Sequence, residues 1–87
     1  MEPGKKLSLQ SHKHRSEHWI VVKGEAKTTV EIDNNRIEKI IKKNEYIYVP
    51  TGSIHQLENN GNTLLEVIEI QIGQYLKEDD IIYHWNL

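Results

Sequence analysis

The chain has 87 residues, no cysteine and a formal net charge of −2. That length gives one domain with a modest core, and the missing thiols exclude disulfides and thiolate zinc sites. The slightly acidic balance argues against a nucleic-acid backbone binder, and the apolar runs are too short for a membrane span or a signal peptide, which fits a cytoplasmic protein.

In chain order the pattern is that of an all-β protein. Lys5–Gln10 alternates apolar with polar residues, and Glu17–Lys23 is rich in β-branched and aromatic residues up to Gly24. Ala26–Ile32 alternates again, Asp33-Asn34-Asn35 offers a hairpin turn, and Arg36–Ile41 continues the pattern. Tyr46–Val49 and Ile54–Leu57 are short strands separated by Pro50-Thr51-Gly52-Ser53, and Thr63–Ile72 is the longest strand. Short strands with Gly, Asn and Pro punctuation predict an antiparallel sandwich or small barrel. The one helical expectation is a turn within Tyr75–Ile82. Trp19, Tyr46 and Tyr48 read as core residues, His18 as structural and His84 as exposed.

Metal-ligand side chains crowd the stretch Gln10-Ser-His12-Lys-His14-Arg-Ser-Glu17, and His55 adds another after the Pro50–Ser53 turn. Residues two apart on a strand share a face, so Gln10, His12 and His14 can point the same way. A divalent cation needs three or four such groups converging from different segments.

The spacing resembles the two motifs of the cupin superfamily. Pro50, Gly52, His55 and Asn59 keep the gaps of the second motif, with Asn44 in place of its leading glycine. In the first motif, six residues separate Glu17 from Gly24, and four separate His12 from Glu17, so Gln10-x-His12 falls where the usual His-x-His lies. A Gln-x-His pair is similar to the phosphomannose isomerases. Pro3–Gln10, His14-Arg-Ser-Glu-His-Trp19, Ile68-Glu-Ile-Gln-Ile-Gly73, Tyr75-Leu76 and Glu78-Asp-Asp-Ile81 resemble the C-terminal cupin domain of bifunctional mannose-1-phosphate guanylyltransferase/mannose-6-phosphate isomerases (type II). That domain is longer at its N-terminus and usually ends in a different tail, whereas this chain closes on Ile82-Tyr-His-Trp-Asn-Leu87.

The resemblance implies a single small cupin, or jelly-roll, barrel over residues 1–87. It implies one divalent metal held by Gln10, His12, Glu17 and His55, with zinc first and manganese, iron, cobalt or nickel as alternatives. It also implies interconversion of mannose 6-phosphate and fructose 6-phosphate by proton transfer through an enediol. Lys6 and Arg15 are then the cations for the sugar phosphate. His14, with Lys13 behind it, is the candidate for the proton transfer. The alternative is a small metal-binding cupin that acts on, or merely binds, another small molecule. Apolar residues on both faces of Glu17–Lys23 and Leu64–Ile72 predict a homodimer.

Overall fold

A computed structural model describes residues 1–84. Eight strands follow in order: β1 (Gln10–Ser11), β2 (Arg15–Lys23), β3 (Glu25–Ile32), β4 (Asn35–Lys42), β5 (Tyr46–Val49), β6 (Ile54–Glu58), β7 (Glu66–Gly73) and β8 (Ile82–Tyr83). All pairings are antiparallel, in a five-stranded sheet ordered β4-β3-β6-β1-β8 and a three-stranded sheet ordered β5-β2-β7. The alternation seen in the sequence sorts the side chains. Trp19, Val21 and Val49 from the smaller sheet meet Ala26, Val30, Ile41 and Leu57 from the larger one, with Leu65 between them.

Local chemistry sets the turns. Asp33 and Asn34 take φ of 51° and 66°, the double left-handed geometry of a two-residue hairpin, and bring Ile32 opposite Asn35. Asn44 has φ of 72°, which explains why an asparagine can stand in the motif's glycine position. Gly52 has φ of 82° in a turn closed by the Ser53 N–H donating to the Pro50 carbonyl at 3.1 Å, and β6 starts immediately after it. Asn59 is fully buried and acts as a staple. Its amide donates to the carbonyls of Met1 and Thr63, and its carbonyl accepts from Gly61 N–H. The motif asparagine therefore closes the loop after β6, away from the histidines.

Three expectations are corrected. Tyr75–Ile82 contains no helix; it is an extended segment with a turn at Glu78-Asp79, closed by Asp80 N–H donating to the Lys77 carbonyl. The first strand is reduced to an isolated Lys6–Glu58 bridge and β1, although Leu7 still packs against the core and its N–H donates to the Leu57 carbonyl. Tyr46 and Tyr48 are exposed rather than core residues, since Ile47 and Val49 take the inward positions of β5.

Candidate metal centre

Arg15, Glu17, Trp19 and Val21 alternate along β2 and all point into the barrel, where each is buried. His55 points inward from β6, and its cross-strand partner is Gln10. Directly paired residues project from the same face, so the Gln10 side chain leaves its strand beside that of His55. His12 follows β1 immediately. One donor atom each from His12, Glu17 and His55 lies within 4.8 Å of the others, and all three residues are buried. Three segments distant in sequence thus converge on one point.

These side chains are oriented by their own partners. His12 Nδ1 lies 2.5 Å from the Asp80 carbonyl oxygen. A carbonyl only accepts, so Nδ1 carries the proton and Nε2 faces the cluster. His55 Nδ1 donates in the same way to the Ser53 carbonyl at 3.2 Å. The two Glu17 oxygens are held separately: Oε1 accepts the Trp19 indole N–H at 2.8 Å, and Oε2 accepts Arg15 Nε–H at 2.9 Å. A second nitrogen of the guanidinium donates to His12 Nε2 at 3.2 Å. His12 and His55 stand with ring centroids 5.0 Å apart, and Trp19 packs edge-on against His55. Among the described residues no buried polar side-chain atom lacks a partner.

Two imidazole nitrogens, one carboxylate and an adjacent amide form a donor set suited to a divalent transition metal, and each imidazole donates its other nitrogen to a carbonyl in the way that supports ligation. Burial pushes the His55 imidazole down from its ordinary 6.5 to about 4, with the nearby Glu17 charge only partly offsetting it. The ring is thereby kept neutral and able to ligate at physiological pH. In chelator-treated protein the unfolded chain takes up the proton first. The stability associated with a neutral His55 is therefore complete above about pH 6.5 and is lost as pH falls through about 4. The expected loss is on the order of 3 kcal/mol. Urea unfolding near neutrality and near pH 4 measures it, and His55→Gln should flatten the difference.

The structure distributes the remaining sequence candidates differently. Arg15 is buried and bound to Glu17 and His12, so it is not a free cation at the rim. Lys6 shares the outer face of the five-stranded sheet with Glu58 and Lys27, behind the strand that carries His55. It is not brought to the cluster. His14 and Lys13 are exposed and line a hollow of about 280 Å³ with Tyr75, Asp79 and Asp80, and the His14 ring meets Tyr75 edge-on at 5.6 Å. His84 is half-buried rather than exposed, with Nε2 2.8 Å from Ser11 Oγ.

Two groups escaped the sequence reading. Asp80 is buried beneath the loop after β1. Its carboxylate accepts the backbone N–H groups of Lys13 and His14 at 2.9 and 3.0 Å, while its carbonyl orients His12. Burial opposes its charge, but those two N–H groups hold the carboxyl below its ordinary range. In sequence it was one member of an acidic run. The second group is the inward row of β7, where Gln71 pairs with Glu17 and Glu69 pairs with Trp19. The signal was available, because Val67, Glu69 and Gln71 share a parity opposite to Ile68, Ile70 and Ile72.

Fold and donor set together define a cupin-type β-barrel with a candidate metal centre. The chain belongs to the family described as mannose-6-phosphate isomerase C-terminal, whose model matches residues 1–84. It is 52% identical over 82 residues to a putative mannose-1-phosphate guanylyltransferase of Vibrio cholerae, covering 94% of this chain and 17% of that protein. It is 55% identical over 82 residues to a mannose-1-phosphate guanylyltransferase of Sinorhizobium fredii, covering 94% of this chain and 15% of that protein. The chain therefore spans about one sixth of the length of these relatives. Among solved structures, Bacillus subtilis oxalate decarboxylase at pH 4.6 superposes with a TM-score of 0.87 at 18% identity, over 95% of this chain and 22% of that one. An oxalate oxidase in complex with glycolate gives 0.85 at 21% identity, over 95% and 42%. Likeness at these identities establishes the fold alone.

Proposed function

We propose that this domain binds one divalent metal through His12, Glu17, His55 and Gln10 and isomerises mannose 6-phosphate to fructose 6-phosphate. The observation that carries the reading is the buried convergence of His12, Glu17 and His55, in a chain of this family. Zinc is the first choice of metal, with manganese, iron, cobalt and nickel compatible with the same donors. The bound cation would supply Lewis acidity to the carbonyl and hydroxyl oxygens of the open-chain sugar.

The residues of the chain do the rest. Trp19 and Arg15 fix both Glu17 oxygens, and Asp80 and Ser53 fix the two imidazoles, so the donor set is preorganised. The barrel wall excludes bulk water from the buried side of the cluster. Lys13 and His14, beside His12 and open to solvent, take over the phosphate-binding role that the sequence suggested for Lys6. Cysteine-free composition accords with a cytoplasmic setting, and among the described residues no helix is long and apolar enough to cross a membrane.

A coupled assay of mannose 6-phosphate conversion, run with each metal on folded and demonstrably loaded protein, tests the reading. Turnover that disappears with chelator supports it. Inactivity with every metal sinks it and favours the second reading, a metal-binding module for another small molecule.

The outer face of the three-stranded sheet supports a homodimer. Tyr46, Ile20 and Ile68 form one cross-strand row, Tyr48, His18 and Ile70 the next, and Ile72 extends it. The three β7 isoleucines are 43–54% exposed. A second copy covering this face would remove that apolar surface from water. Light scattering at concentrations of tens of micromolar, roughly where stable interfaces persist, is expected to give twice the monomer mass. Ile70→Lys should return it to one.

A further inference from the structure

The isomerase reading leaves open which group moves the carbon-bound proton, and the inference here rests on that reading. His14 is tied through its backbone to Asp80 and lines the outer hollow with Tyr75. Arg15 is committed to Glu17. Along β2 and β7, the inward row holds two carboxylates, Glu17 and Glu69. Glu17 belongs to the ligand set. Glu69 is paired with Trp19, one step along the sheet from the Glu17–Gln71 pair. Diagonal neighbours of this kind lie about 7–8 Å apart. At that spacing the two long side chains rise from one face of the sheet within reach of the same small molecule. Glu69 also remains solvent-accessible although its position faces the lumen, as a group that must meet substrate has to be.

We infer that Glu69 is the catalytic base and acid of this site, moving the proton between C2 and C1 of the open-chain sugar phosphate. Its carboxylate removes the proton from C2. The C2–H electron pair becomes the C1=C2 bond, and the carbonyl π pair moves to O1. The hydroxyl proton of O2 passes to O1, the O2 electron pair forms the C2=O2 bond, and the C1=C2 pair takes the proton back from Glu69 at C1. Ketose and carboxylate result, with no net gain or loss of protons. The surroundings suit the task. In the metal-free site, desolvation and then the negative charge of Glu17 raise the Glu69 carboxyl above its ordinary range, against the opposing pull of Arg15 and His12.

The test is Glu69→Gln in the full chain, with zinc and manganese as the metals. Zinc affinity by calorimetry is expected to stay within about threefold of the parent, while kcat falls by about 10²–10⁴-fold with little change in KM. In deuterated water, NMR should show loss of solvent exchange at the substrate's C1 and C2 positions, and Glu69→Asp should restore part of it. An active parent whose Glu69→Gln variant keeps more than a tenth of kcat, and still exchanges the carbon-bound proton, overturns the assignment and leaves the isomerase reading intact. Lost zinc binding in that variant overturns it too, by making Glu69 part of the metal centre. An inactive, metal-loaded parent overturns the isomerase reading itself, and this role with it.

Discussion

Glu17→Ala is expected to lose its metal and much of its stability at once. The carboxylate is 3% exposed and the Arg15 side chain beside it is 7% exposed. Removing the anion leaves a buried guanidinium charge without its counter-ion, and leaves the Arg15 Nε–H and the Trp19 indole N–H without their acceptors. Breaking a buried pair from one side costs about 3–5 kcal/mol. That loss should appear as a lower urea midpoint in chelator-treated protein, where no metal contributes. Metal binding falls for a separate reason, because the only charged donor of the set is gone. Loss of a group that merely supports a ligand costs about 10–100-fold in affinity, so loss of the ligand itself should exceed about 100-fold. Glu17→Gln separates the two effects. Its amide oxygen can still accept from Trp19 or Arg15, so stability should recover in part while zinc binding by calorimetry stays weak. Parent-like metal content in both variants would remove Glu17 from the centre.

Asp80→Ala is expected to weaken zinc binding by about 10–100-fold without removing a ligand. The carboxylate fastens the Lys13 and His14 amides, and this tether keeps the Asp80 carbonyl against His12 Nδ1. Without the tether the loop after β1 loosens, and His12 loses the contact that fixes its tautomer and ring orientation. Asp80→Asn should lie between, since the amide oxygen can accept one of the two N–H bonds. Calorimetric titration of both variants measures the effect. Unchanged affinity in Asp80→Ala would mean that the rest of the barrel orients His12 unaided.

Much of this protein was legible in one dimension. Period-two alternation in β2, β3 and β7 follows from the pleat, which sends neighbouring side chains to opposite faces, and so it records the barrel directly. The turn residues were legible for a similar reason. Asp33-Asn34 and Gly52 tolerate backbone angles that most residues avoid, and those angles close the hairpin and launch β6. His12, Glu17 and His55 were identifiable because motif spacing preserves strand register, and register decides which side chains meet.

Other features needed three dimensions. Arg15 looked like a free cation, but the parity that buries Glu17 buries Arg15 as well, and an unpaired guanidinium would not persist there. Lys6 stands close to Gln10 in sequence yet lies on the other face of the sheet, because the pairing with β6 shifts by one residue between Gln10–His55 and Lys6–Glu58. Asp80 is 68 residues from His12 and meets it only because β8 pairs with β1. Tyr46 and Tyr48 have the composition of core residues, and only the register that pairs them with Ile20 and His18 on the outer row turns them outward. Spacing along the chain determines which residues share a face. Which faces become lumen, outer wall or second support for a ligand is decided by long-range strand pairing, whose partners no local pattern encodes.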